Sequence, residues 1–429
     1  MLKISKCVGT ALCLTFASQF THVWAKATDN ANTMAVNQPV YSLQDAVSLT
    51  LKQHPELASF AYRKNISQGL IQQAQVGTPL NIEAKVTDIV GTGEYAGLSA
   101  VQTEVGIGWL LEGSQINAKT TVAKTQAQLN SIEVQIKALD LAATSASAYV
   151  TLLSQQQQLK LAKLRQFQAQ GMLSDINLRV KAGQLASIDA LRAKADLAQK
   201  ALVVEDLIHE IEASKALLAA QWQGNSEFQV SGSLDNLPQM QSIERWQLQL
   251  ENNPKLQKFT TKQRIAQSQV KLAKVENTPA WKVTTGIKHN QALNDVALSA
   301  GIVIPFSNGN RNQGKIKALQ AQQLEYQAKS NAWQSNIRTQ LLLLTHQLKH
   351  NSHVVEGLRE EIIPALVQAS EQAELAYKQG NYPYSDWYAI QQELNIAQTE
   401  LIDAYRNIHL FNIELQRLTG TSAATGTSL

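Results

Sequence analysis

Cysteine is nearly missing from this chain of 429 residues: the two present, Cys7 and Cys13, both fall at its very start. Everything after them is thiol-free, which excludes disulfides, cysteine nucleophiles and thiolate metal sites. Aromatics are sparse at 6% and charged residues modest at 17%, but hydrophobic types reach 44%, too many for a disordered chain. No later stretch of 18 or more apolar residues occurs, so any membrane crossing has to be made by strands rather than helices. Also missing are GxSxG, HExxH, a Walker loop and a Gly-rich phosphate cradle, so no catalytic constellation and no cofactor is expected.

Acidic residues are absent from the first 27 positions, which hold Lys3, Lys6 and Lys26. Val8 to Ala17 forms a short apolar core, and Ala25-Lys26-Ala27 offers a small-x-small exit. Residues 1–27 therefore read as a secretory signal, followed by a tail over 28–40. Thr10-Ala11-Leu12 is a poor approach to a lipidated Cys13. Taking three lysines from the 38 basic residues leaves 35 against 34 acidic ones, a balance of +1. A nearly neutral mature chain has no electrostatic reason to bind nucleic acid.

What remains repeats itself. His54-Pro55-Glu56-Leu57 returns as Asn253-Pro254-Lys255-Leu256, and Thr78-Pro79 as Thr278-Pro279. Val105-Gly106-Ile107 returns as Ala300-Gly301-Ile302, and Lys181-Ala182-Gly183 as Lys378-Gln379-Gly380. Asp189 and Asp386 each stand six residues after those last glycines. The order and the near-constant offset predict one structural unit used twice, over 41–223 and 242–420, joined by a linker at 224–241 and ending in a tail at 421–429.

Within each unit the hydrophobic period switches. Leu43 to Gln75 reads as a helix. Leu80, Ile82, Ala84 and Val86 then alternate with polar residues. After a turn containing Gly91, Gly93 and Gly97, so do Val105, Ile107, Trp109 and Leu111. The second copy repeats this at Trp281, Val283, Thr285 and Ile287, then Leu298, Ala300, Ile302 and Ile304, closed by Pro305. Strands of about ten residues with one apolar face match the length a tilted strand needs to cross a bilayer. The small positions Gly106, Gly108, Gly286 and Gly301 on the other face suit a passage rather than a packed plug. From Asn117 to about Val180 there is no proline. A heptad seam runs through Leu129, Ile132, Ile136, Leu139, Ala143, Ala146, Val150 and Leu153, repeated at Ile337, Leu341, Leu344, Leu348, Val355, Leu358 and Ile362. A helix of that length rises roughly 96 Å at 1.5 Å per residue. It predicts antiparallel coiled-coil hairpins that build a tube or a stalk. The fold class is mainly α with a small β part.

Four strands cannot close a barrel, and an open edge in lipid leaves backbone groups unpaired. Several copies must share one barrel: two would give eight strands and a filled interior, three would give twelve and a lumen. The chain resembles the TolC-type outer-membrane efflux proteins over about residues 41 to 420, and is most similar to the heavy-metal (cobalt–zinc–cadmium) branch. Three motif groups carry the resemblance: Tyr41-Ser42-Leu43-Gln44-Asp45-Ala46 with His54-Pro55-Glu56-Leu57; Ile304-Pro305-Phe306 with Asn310-Arg311-Asn312-Gln313-Gly314; and Ile363-Pro364-Ala365 with Ala373, Tyr377, Gly380 and Asp386. The resemblance implies a homotrimer in the outer membrane of a Gram-negative bacterium, with a 12-stranded barrel and a long periplasmic α-helical barrel. It also implies a periplasmic membrane-fusion adaptor and an inner-membrane pump of the RND type as partners. Pro364 fits it as a helix-bending position. Ducts for multidrug efflux or type I protein secretion share the pattern. A periplasmic coiled coil without a pore leaves the four strands unexplained.

Gly183 and Gly380 follow long helices and are expected to form left-handed caps at two hairpin tips. The plain reading is turn chemistry. The resemblance adds adaptor docking through Ala182, Gly183, Gln184 and Leu185, and through Gln379, Gly380, Asn381 and Tyr382. It likewise implies that Asp386 forms a carboxylate constriction around a threefold axis, with Ala389 where a second acid is often found, and that Asp189 and Tyr377 pair to hold the tunnel shut. The plain alternative for both aspartates is a solvated helix face. His346, His350 and His353 share one helical stripe facing away from the seam, a surface or lumen-lining stripe offering weak cation contact at most.

Overall fold

The computed structural model describes residues 38–306 and 311–421. The expected signal segment, most of the 28–40 tail, Asn310 of the second motif group, and the tail beyond Thr421 lie outside the described residues.

A short strand, β1 (Val40–Tyr41), leads into α1 (Leu43–Gln53). Ser42 caps that helix by accepting from the Asp45 N–H while Asp45 accepts from the Ser42 backbone. The helix expected over Leu43 to Gln75 is in fact two. His54 ends α1, and its ring accepts the Glu56 N–H to cap α2 (Pro55–Gln75), with Pro55 in the first turn, where its missing N–H costs nothing. The related Asn253-Pro254 does the same between α5 (Ile243–Leu250) and α6 (Pro254–Glu276), its side chain accepting from Lys255 N–H at 2.7 Å. The recurring dipeptide is thus a helix start.

Strands β2 (Asn81–Thr87) and β3 (Gln102–Leu111) form the first hairpin, and β5 (Trp281–Asn290) and β6 (Asp295–Val303) the second. They join in one antiparallel sheet ordered β2-β3-β5-β6, with β3 against β5. Between the hairpins come α3 (Gly113–Lys181), α4 (Ser187–Ala220) and β4 (Gln229–Val230). Strand β4 lies in the stretch expected to be a linker and pairs in parallel with β1. After the sheet follow α7 (Gln313–Gly357), α8 (Ile363–Lys378) and α9 (Tyr384–Thr419).

At 69 residues α3 rises about 104 Å at 1.5 Å per residue. The seam residues Leu129, Ala143, Ala146, Val150 and Leu153 are buried, as are Ile337, Leu341, Leu348, Val355 and Leu358, but Ile362 is 47% exposed. It sits at the end of a π turn, Leu358–Ile362, that joins α7 to α8. Here the Ile363 N–H reaches the Leu358 carbonyl, one residue further back than in an α-helix. Pro364 is the reason: it has no N–H to give and its ring crowds the carbonyl four residues earlier, so the wider turn absorbs it.

The main core packs Leu43, Ala46 and Val47 of α1 against Ala142–Leu153 of α3 and Ala404–Ile413 of α9, closed by Trp222, Phe228 and Leu234. Phe228 and Leu234 show why 224–241 is more than a tether: both are buried in this core, and the Tyr41 ring lies 5.6 Å from Phe228 and 5.8 Å from Trp222. The Tyr149 hydroxyl binds the Ser231 carbonyl and fastens this corner to α3.

Candidate functional site

Two features of the chain carry chemistry, a two-faced sheet and a pair of helical tips. In the sheet, register places Ile82 opposite Ile107, Val105 opposite Ile287, Trp109 opposite Val283 and Ile287 opposite Leu298. All belong to one face, and Ile82, Ile107, Trp109, Ile287, Leu298 and Ile302 are each at least half exposed. The other face carries Glu83, Glu104, Lys282, Lys288 and Ser299, with Glu83 paired to Lys282. An exposed apolar band backed by a charged face is what a strand wall between lipid and water requires. Among the described residues strands β2 and β6 have no partner on their outer sides, and they run in opposite directions.

The glycines on the polar face have a steric cause that sequence reasoning missed. Gly106 stands directly opposite Gly286. A Cβ on Gly106 would come within 2.8 Å of the Thr285 carbonyl oxygen, and one on Gly286 within 2.8 Å of the Val105 carbonyl oxygen. The two strands touch backbone to backbone, so glycine is needed at this pair for packing.

At the tips, both caps are Schellman motifs. Gly183 (φ +74°) donates to the Val180 carbonyl while Gln184 reaches Arg179; Gly380 (φ +79°) donates to Tyr377 while Asn381 reaches Ala376. The two turns meet: Gln184 and Leu185 line one cleft of about 700 Å³ together with Gln379, Gly380, Asn381 and Tyr382. Ala182, Gly183, Gln184, Gln379, Gly380 and Asn381 are exposed, Leu185 and Tyr382 half-buried.

Asp189 and Asp386 occupy the same place, the third residue of α4 and of α9. A carboxylate in a first turn is favoured by the unpaired N–H groups there. Asp386 is exposed and accepts from Ser385 Oγ at 2.9 Å; Asp189 is half-buried. Tyr377 is 3% exposed, and its hydroxyl finds no hydrogen-bond partner among the described residues, so no Asp189–Tyr377 hydrogen bond is made. Its ring instead packs 5.0 Å from Trp387 and 6.0 Å from Tyr384, with the Arg179 guanidinium 4.6 Å above it. Burial pushes the Tyr377 phenol up, Arg179 counters this, and Asp175 and Asp189 add to it. Burial and the charges of Asp196 and Asp189 raise Tyr384 to about 12.

Several ties between the hairpins near the tips involve residues the sequence did not single out. The Tyr388 hydroxyl of α9 donates to Asp196 of α4 at 2.7 Å. Burial, then the Asp196 carboxylate, pushes that phenol well above its usual range. Lys200 lies 3.8 Å from Asp196 and donates to Gln392 at 3.4 Å. Arg165 of α3 donates to the Asn395 carbonyl and, at 3.1 Å, to Thr399. The available signal was Tyr382, Tyr384, Trp387 and Tyr388, four aromatics crowded just past Gly380 in a chain with few. His346, His350 and His353 are exposed on α7, and among the described residues no group of three or more His, Cys, Asp or Glu is placed to hold a metal.

A four-stranded sheet with one exposed apolar face is thus joined to helices as long as about 104 Å. No family model matches the chain. It is 23% identical over 382 residues, 88% of this chain and 90% of the other, to the cobalt-zinc-cadmium resistance protein CzcC of Cupriavidus metallidurans. Among solved structures, a membrane protein from Pseudomonas aeruginosa superposes with a TM-score of 0.69 at 15% identity, covering 91% of this chain and 93% of that one. The outer-membrane protein VceC of Vibrio cholerae gives 0.65 at 17%, covering 89% and 96%. The channel protein CusC gives 0.69 at 14%, covering 90% and 93%. The chain thus shares the fold of these solved membrane and channel proteins, and over most of its length it is similar in sequence to a protein named for heavy-metal resistance.

Proposed function

We propose that this chain is the exit duct of a tripartite efflux system, assembled as a homotrimer with a 12-stranded barrel continued by a periplasmic α-helical barrel. The observation that carries the reading is the pair of sheet edges, β2 and β6, that are free among the described residues and run in opposite directions beneath one apolar face. In lipid those edges have to be paired. Antiparallel pairing of β6 in one copy with β2 of the next continues the pattern until a ring closes.

The duct is passive. A periplasmic adaptor docks at Ala182–Leu185 and Gln379–Tyr382, and an inner-membrane pump of the RND type supplies the energy. Asp386, repeated around the axis, forms the constriction, with Asp189 and Tyr377 contributing to the closed tip. The 41–223 and 242–420 units act as matched halves of the wall. The likeness to a protein named for cobalt, zinc and cadmium resistance supports heavy-metal cations as cargo. A deletion strain is expected to lose growth on zinc, cobalt or cadmium and to keep its tolerance of antibiotics. The reverse pattern overturns the metal assignment and leaves the duct. A purified protein that is a water-soluble single subunit overturns the duct itself.

A further inference from the structure

The helices that adjoin the sheet pack in one row, α2 on α3, α3 on α6 and α6 on α7. Ser67 of α2 accepts from Asn130 of α3 at 2.6 Å, Glu133 of α3 pairs with Lys258 of α6 at 2.9 Å, and Gln263 of α6 donates to Gln327 of α7 at 2.6 Å. The strands that these helices enter or leave follow the same order, β2-β3-β5-β6. The row of helices therefore ends where the sheet ends, with α2 below β2 and α7 below β6.

Each end helix presents a face turned from its neighbour. On α2, Ser59, Tyr62, Ile66 and Gln73 fall within about 60° of one another, and Ile66 lies about 100° from the α3-facing Ser67. All four are exposed, Tyr62 at 71%. Neighbouring charges of α2 are used against α3, Arg63 on Glu133 and Glu56 on Lys137. On α7, Ala321, Ala328, Ala332 and Ser335 are exposed and also span about 60°, roughly opposite the buried Ser330 and Ile337. Leu324, 73% exposed, borders them, and Glu325 beside them is paired with Lys329. One stripe is led by a tyrosine and an isoleucine, the other is made of small residues, and neither includes a charge. Large facing small, with charge excluded, is the make-up of an interface core.

The two stripes also lie at one depth. Ile66 and Tyr62 stand nine and thirteen residues from Gln75, where α2 ends next to the sheet, and Ala321 and Ala328 stand eight and fifteen from Gln313, where α7 begins there; at 1.5 Å per residue both stripes fall roughly 12–23 Å below the sheet. We propose that this face of α2 packs on the α7 face of the next copy of the chain, with Tyr62 and Ile66 seated against the alanine stripe. Copies are then joined through their helices as well as through their strands. The proposal rests on the homotrimer reading and adds to it a helical contact that the strand edges do not specify.

The test uses the full-length protein purified in detergent, with native mass spectrometry of each sample to count copies. In hydroxyl-radical footprinting of the unaltered protein, Tyr62 should be oxidised several-fold more slowly than tyrosine in a free peptide, because the next copy covers it. This measurement needs no variant to fold. Tyr62→p-benzoylphenylalanine, once irradiated, should give products of two and three copies on denaturing gels, and the peptide attached to the probe should come from α7. The reciprocal Leu324→p-benzoylphenylalanine should attach to α2. A trimer in which Tyr62 is oxidised as fast as the free peptide would overturn this contact and leave the homotrimer standing. So would adducts that map to other helices or stay within one chain. A sample of single copies would overturn both readings.

Discussion

Tyr388 and Asp196 lie 192 positions apart in sequence, yet the phenol of one donates to the carboxylate of the other at 2.7 Å, so that α9 is tied to α4 directly. Tyr388→Phe removes the donor and leaves the ring. Asp196 keeps Lys200 as its charge partner. The expected loss is about 1 kcal/mol of local stability, close to fivefold in a local opening equilibrium. Amide hydrogen exchange should quicken by that factor in the first turns of α9 and stay unchanged in α1.

Asp386 tests the constriction against the plain role of an acid in a first helical turn. If three copies of it narrow the pore, Asp386→Ala should raise single-channel conductance in planar bilayers. If it serves only the N-terminus of α9, the same change should cost about 0.3–1 kcal/mol of stability and leave conductance alone. Conductance and thermal unfolding measured on one preparation separate the two.

The Gly106–Gly286 contact predicts an assembly defect. Gly286→Val places side-chain atoms where the Val105 carbonyl oxygen already stands, 2.8 Å from the Cβ position. Strands β3 and β5 would have to part. On unheated gels the oligomer band should be lost or greatly reduced, whereas Gly69→Ala in α2, where a Cβ meets open space, should retain most of it.

His409 predicts a pH dependence. Its side chain is buried, with Nε2 2.9 Å from the Leu234 carbonyl, and burial lowers its pKa. The neutral ring is thus favoured in the fold, and the unfolded chain takes up the proton first as pH falls. Stability contributed by this residue is present above the ordinary histidine pKa of about 6.5 and declines as pH drops below it, until the folded form is protonated too. Thermal unfolding between pH 7.5 and 5 should show a falling midpoint, with a shallower fall in His409→Gln.

Much of the architecture was legible because its signals are periodic and local. The alternation at Leu80–Val86 and Trp281–Ile287, the heptad seam from Leu129 to Leu153, and the glycines at 183 and 380 each report the backbone state of their own segment. The site was legible only in part. Asp189 and Asp386 stand out by their matched spacing, but the Tyr377 ring packs among Tyr384 and Trp387 and its hydroxyl makes no hydrogen bond to Asp189. The π turn was only half visible: Pro364 announces a disturbance, but not the five-residue hydrogen bond from Ile363 to Leu358 that absorbs it.

From the order of its residues alone this chain specifies strands, hairpin tips and helices too long for a globular core, since period, proline and glycine act within a few residues. The adjacency of β3 and β5 and the tie between Tyr388 and Asp196 were decided by the tertiary structure. Each depends on which side chains meet across a hundred or more residues, and that outcome follows from packing and charge balance among helices whose separate sequences contain no record of one another.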